Sequence, residues 1–256
     1  MDAWLNREIK AVIKEHPAIE QILMEYGVGC GACTVGSCLV KEIVTIHALS
    51  PAQEKELMAR FALVFSGEVE KALAMKGEAK PVRIIYSTPV QNLVDEHVVI
   101  MRWIRLIPKV AETLNLENPE HRELMTMGIE MIRTYADRLH HAKEEDILFE
   151  YTDRGAEIIA VMYEDHKRAR SHVQAMIKAV EARDSETAAS HLTAYGELLT
   201  EHIKKEDEIL YPYIDRNLSG AQIRELIDRF AEAETRLAVD TEKYTSWLDE
   251  VESQYK

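Results

Sequence analysis

The 256-residue chain carries 45 Asp and Glu against 31 Lys and Arg, a formal net charge of -14, with 46% of its residues hydrophobic. That charge excludes a nucleic-acid backbone as partner, because phosphates reward clustered cations, and no apolar run approaches the roughly 18 to 20 residues of a membrane helix. Only 10 Gly and 7 Pro interrupt a sequence rich in Glu, Ala, Leu, Ile and Lys, which favours helix and leaves strands little to work with. The start, MDAWLNREIK, lacks the basic and apolar regions of a signal peptide, so the expectation is a cytoplasmic protein.

In chain order, a helical pattern from Leu5 to Ile13 is followed by Pro17, which opens a short helix with Ile19, Ile22, Leu23 and Tyr26 on its apolar face. Gly27 and Gly29 stop it. A cysteine loop follows, then a helix from about Leu39 to His47, and Ser50-Pro51 caps one more helix expected to reach about Met75. Gly77, Pro81, Pro89 and the extended-looking run Val82 to Tyr86 read as a connector. The expected division is a small helical module over 1–78, a linker over 79–92 and a helical bundle over 93–256. In the bundle, four amphipathic stretches, Leu93 to Leu116, Pro119 to Asp153, Arg154 to Arg183 and Ser185 to Ile214, are joined by short turns that make neighbours antiparallel. A fifth, opened by Ser219 and running to about Val251, packs along them. The fold class is therefore all-α: an up-down four-helix bundle with an extra C-terminal helix behind a small helical module.

The bundle contains an internal echo, LHHAKEEDILFEY at Leu139 to Tyr151 and EHIKKEDEILYPY at Glu201 to Tyr213. In each, a histidine and a glutamate stand four apart, His140 with Glu144 and His202 with Glu206, so one metal ion is within reach of both. Aligning the echoes on Phe149 and Tyr211 selects His140 and Glu144 over the neighbouring His141 and Glu145. One residue turns an α-helix by about 100°, so His141 is expected to face the flank. The other two helices each carry a histidine behind an acid, Glu96-His97 and Asp165-His166, at levels agreeing to roughly two turns at about 1.5 Å per residue. HxxxE pairs also occur as ordinary solvated neighbours, and His121, His172 and His191 are read as such bystanders. Two pairs in matching contexts on alternate helices, with a histidine on each intervening helix, point instead to a metal centre. Imidazole with bridging carboxylate suits paired iron between bundle helices, and suits zinc or manganese as well.

His97, the HHAKEEDILF run, His166 and the HIKKEDEILYP run are similar to the motifs of the hemerythrin-like HHE cation-binding family, over about two thirds of the chain. The resemblance implies His97, His140, His166 and His202 as terminal ligands of two iron ions, with Glu144 and Glu206 as carboxylate bridges beside an oxo or hydroxo bridge. The oxygen-carrying hemerythrins have five histidines, including a pair four apart on the third helix; here Arg170 stands four after His166. One fewer histidine implies open coordination, favouring the binding or activation of a small oxidant.

Cys30, Cys33 and Cys38 lie in GVGCGACTVGSC, a glycine-rich turn where thiols are candidates for redox chemistry, an additional iron or cluster, or no chemistry at all. Three thiolates are one short of a closed tetrahedral site. The arrangement resembles the cysteine-bearing modules of the Repair of Iron Centres proteins, which carry adjacent cysteines where this chain has C-G-A-C. The implied roles are handling of nitric oxide, oxygen or peroxide in stress defence, or repair of an iron-sulfur client protein. A non-catalytic sensor or an iron or oxygen store is one alternative, and a di-iron peroxidase or nitric oxide reductase another.

Overall fold

The computed structural model describes residues 3–26, 28, 38–46, 49–75, 86–152 and 157–255. Cys30, Cys33 and the greater part of the extended-looking run before Tyr86 lie outside them. Among the described residues there is no strand, only an isolated antiparallel pairing of Glu8 with Leu39. The chain divides into two compact units, Met1–Ile85 with Glu208–Arg216, and Tyr86–Asp207 with Asn217–Lys256.

In the first unit, α1 (Ile9–Glu15), α2 (Ala18–Glu25), α3 (Ile43–Ile46), α4 (Pro51–Phe65) and α5 (Val69–Ala74) enclose a core that includes Ile9, Val12, Ile22, Leu23, Leu57 and Phe61. Ser50 caps α4 reciprocally with Gln53, at 3.3 Å from the Gln53 N–H to the Ser50 hydroxyl and 2.9 Å in return, as the Ser-Pro pair predicts. The helix expected to reach Met75 breaks instead at Gly67, whose φ of 86° is open to glycine at little cost. Arg60 is buried and forks onto Glu25 at 2.8 and 3.0 Å while donating to the Ala72 carbonyl at 2.9 Å, which ties α5 to α4 and α2. Cys38 packs against this core, half-buried.

The second unit is a four-helix bundle. α6 (Thr88–Thr113) starts inside the stretch expected to be linker, because Ser87-Thr88-Pro89 places proline in the first turn, where its missing N–H costs nothing. α7 (Pro119–Met131) runs on without a break into a π-helical segment, Ile132–His141, and then α8 (Ala142–Asp146). After them, α9 (Glu157–Ala182) and α10 (Ser185–Lys205) are joined by a two-residue turn, and α10 gives way to a π-helical turn that starts at Glu206; α11 (Tyr211–Asn217) falls, but for Asn217, with the first unit. α6 packs on α10 and on the π segment, and α9 packs on α10 and α7. Trp103 seats its indole on Gly128, where even a Cβ would lie 2.4 Å from the ring.

The single fifth helix of the sequence reading is in fact two, α12 (Gly220–Leu237) and α13 (Thr241–Gln254). Ala238 turns left-handed at φ 47°, ψ 46°, and the Asp240 side chain then accepts the Lys243 N–H at 3.1 Å, so the chain stops one helix and caps the next. α13 is held on α6 by Arg102, whose guanidinium donates to both Glu252 oxygens at 2.8 and 2.9 Å. No described helix is long and apolar enough to cross a membrane.

Candidate metal centre

Seven side chains converge inside the bundle, none more than 3% exposed. His141, Glu144, His166 and His202 each offer one ligand atom within 4.8 Å of the others, and His97, His140 and Glu206 do the same. The six residues singled out in the sequence are thus brought together, with His141 added. The two glutamates stand between the groups. Glu206 Oε2 lies 3.2 Å from His97 Nε2 while its Oε1 lies 3.1 Å from His202 Nε2. Glu144 Oε2 lies 3.7 Å from His140 Nε2 and 3.5 Å from His166 Nε2. His121, His172 and His191 belong to neither group: His121 Nδ1 accepts the Asn115 N–H at 2.9 Å, and the other two face each other at 3.0 Å.

The outer nitrogens explain the convergence. Nδ1 of His140 lies 2.9 Å from Glu96, that of His166 2.6 Å from Glu145, that of His97 2.8 Å from Asp207 and that of His141 3.4 Å from Asp137. His202 Nδ1 stands 3.6 Å from Asp165. An imidazole whose Nδ1–H is given to a carboxylate keeps its Nε2 lone pair for the interior, the usual arrangement behind a metal-ligating histidine. Four of these contacts close a ring. α6 supplies Glu96 to the histidine of the π segment, α8 supplies Glu145 to α9, α9 supplies Asp165 to α10, and Asp207 beyond α10 serves His97 on α6. Lys143, fully buried, donates to Glu96 and, at 2.9 Å, to Glu234 of α12, so the extra helix braces the ring.

The fit of a cation follows from what the inner atoms lack. His166 and His202 turn Nε2 to Nε2 at 2.9 Å, a distance at which two lone pairs repel unless a proton or cation lies between them. His140 Nε2 and both oxygens of Glu206 are buried without a hydrogen-bond partner. A buried carboxylate costs several kcal/mol unless countercharged. Burial opposes ionisation of Glu206, but His202 and His97 outweigh it and hold the carboxyl well below the usual range. Burial likewise opposes protonation of His97, yet Asp207 and Glu206 raise it to about 9. His140 and His166 go the other way: burial, joined by the neighbouring histidines, drives both well below the ordinary value and leaves neutral donors. His97 would exchange its proton for a metal ion on binding, and imidazoles with ionised carboxylates are a donor set that iron, manganese or zinc takes.

His141 is where the α-helical expectation fails. The reading that sent it to the flank assumed a turn of about 100° per residue. Over Ile132–His141 the hydrogen bonds run i to i+5, closing with the Ala142 N–H on the Asp137 carbonyl, and the wider turn lets His140 and His141 both face inward. The His141 ring stacks on His166 with centroids 3.9 Å apart. Arg170 donates to Asp137 at 2.8 Å and to Glu145 at 2.8 Å, the carboxylates behind His141 and His166. The two buried groups therefore gather five histidines, His141 beside the four that the sequence reading assigned. The spacing Asp137-xxx-His141 was the available signal for it.

Residues 88–214 match the family model of the hemerythrin HHE cation-binding domain. Residues 88–214 are a hemerythrin HHE domain. The hemerythrin domain is a cation-binding module, and its two buried histidine-glutamate groups fit metal, with iron the metal such a domain implies. The chain is 23% identical over 223 residues to the uncharacterized proteins Mb2018 of Mycobacterium bovis and MT2051 and Rv1995 of Mycobacterium tuberculosis, covering 82% of this chain and 87% of each relative. No solved structure matches.

Proposed function

We propose that the hemerythrin domain holds two iron ions, with His97 and His140 serving one, His141, His166 and His202 the other, and Glu144 and Glu206 shared. The centre binds or activates a small oxidant, oxygen, nitric oxide or peroxide, in a protein of stress defence or iron-sulfur repair. The observation that carries this reading is the placement of each buried glutamate between the two histidine groups, within 3.1 to 3.7 Å of a histidine of each. Such a pair of ions supplies redox equivalents and Lewis acidity. The chain's own residues set the geometry: Asp207, Glu96 and Glu145 orient His97, His140 and His166 through Nδ1, and all seven donors are buried. In the repair role, thiols of Cys30, Cys33 and Cys38 dock the client or relay iron to it.

Metal analysis of the purified chain, with optical spectra before and after oxygen, nitric oxide and peroxide, tests the reading. Two irons per chain and spectra that respond to one of the three are expected; His202→Ala and His141→Ala should each lose about one equivalent, since each removes a ligand of the same ion. Unchanged iron in both variants would refute the assignment. Reversible spectral change without consumption of the ligand marks a sensor or store, and turnover marks a peroxidase or nitric oxide reductase.

A further inference from the structure

The two echoing runs share more than their candidate ligands. Both read His-x-x-Lys-Glu, with Lys143 between His140 and Glu144 and Lys205 between His202 and Glu206. Each lysine stands three residues after its histidine, a spacing that puts both on one side of a helix. Each also reaches the acid behind that same histidine. Glu96 turns one oxygen to His140 Nδ1 at 2.9 Å and takes the Lys143 ammonium on the other. Lys205 Nζ lies 2.5 Å from Asp165, the acid that stands 3.6 Å from His202 Nδ1. The bundle thus builds the same chain of lysine, acid and inward histidine twice.

Packing alone gives no reason for the charge. Lys143 is fully buried, with its ammonium 5.3 Å over the Phe230 ring and 2.9 Å from Glu234, both on α12, a helix beyond the matched residues 88–214. A buried ammonium carries a heavy desolvation cost, and an apolar side chain of similar volume is often at least as stable in its place. What the charge does act on is the acid. A carboxylate bearing its full charge draws the Nδ1–H of its histidine toward itself and makes Nε2 a stronger donor, whereas a lysine that shares that charge weakens the pull.

We propose that Lys143 and Lys205 are positioning residues that set, through Glu96 and Asp165, how strongly His140 and His202 donate to iron, and so the balance between ferric and ferrous states. The proposal rests on the metal-centre reading above and adds to it the control of that centre's redox balance. The two chains are unequal. The 3.6 Å gap between His202 and Asp165 exceeds a hydrogen bond, and Lys205 is 16% exposed, so water screens it. Lys143 is closed in by α12 and is the stronger control, acting on the ion that His97 and His140 serve.

Optical redox titration of the full-length chain at saturating iron tests this. Lys143→Met should favour ferric over ferrous iron about tenfold, a fall of about 59 mV for a one-electron step. Lys143→Arg keeps the charge and should stay near the wild-type potential, and Lys205→Met should give a smaller fall. In a Glu96→Gln background Lys143→Met should no longer move the potential, because the charge that the lysine shares is gone. If Lys143→Met does not fold, Lys205→Met with and without Asp165→Asn carries the same comparison at the less buried lysine. Two irons per chain with a potential that the lysine substitution leaves unmoved, or lowers equally when the acid is gone, would overturn the control while leaving the metal centre standing. A wild-type chain that takes up no iron overturns both.

Discussion

A neutral imidazole has one nitrogen for a partner and one for a site, so whatever holds Nδ1 decides what Nε2 faces. Glu96 is the clearest case, because it accepts from His140 on one oxygen and from Lys143 on the other. Glu96→Ala should lower metal affinity about 10- to 100-fold, with the ligands themselves intact. Competition against a chelator of known affinity reads this directly, and an unchanged affinity would detach the ring from the metal. The acids were partly legible, since Glu96-His97 and Asp165-His166 stand out as dipeptides, but a dipeptide does not say which histidine its acid serves. In space each serves a histidine on another helix: neighbours along a helix diverge, so an acid next to an inward histidine faces across the interface.

Among the elements, two positions test how the helices are shaped. Gly128→Ala places a Cβ into the Trp103 ring and should destabilise the metal-free chain by about 1 to 3 kcal/mol in denaturant unfolding. Ala238→Gly relieves a left-handed alanine and should stabilise it by about 1 kcal/mol, net of the freedom glycine adds to the unfolded chain. A destabilised Ala238→Gly variant would mean that the α12–α13 joint is held by contacts rather than by backbone conformation. The four bundle helices were legible from apolar periodicity and short connections, which report on buried faces. The break at Ala238 was not, because Leu237-Ala238-Val239 continues the apolar pattern and alanine is the best helix former. The π segment was invisible for the same reason: periodicity near 3.6 tolerates one extra residue within a turn, and no residue type marks it.

For the whole molecule, ligands drawn from all four bundle helices make metal binding a term in folding. Loaded at 100-fold over Kd, each of the two sites should contribute about 2.7 kcal/mol, which for a chain of this size raises the melting temperature by roughly 10 to 20 °C over the chelated form. Calorimetry of loaded and chelated protein checks it, and coincident transitions would show that the metal does not cross-link the bundle. Changing Cys30, Cys33 and Cys38 together to serine should leave this shift unaltered, because the seven donors are histidines and glutamates.

The closed ring of acid-to-histidine contacts also constrains how such a domain can change over time. Each of the four helices sets an acid against a neighbour's histidine, within hydrogen-bond reach for His97, His140 and His166 and at 3.6 Å for His202. A recombination crossover anywhere between Glu96 and Asp207 that brings in segments from a homologue with a different pairing separates at least one acid from its histidine. Loss of an acid leaves a donor ligand in place but free to rotate, a weaker defect than loss of the ligand. Inheritance of the site should therefore be modular only at the level of the whole bundle, with acids and histidines exchanged as sets or not at all.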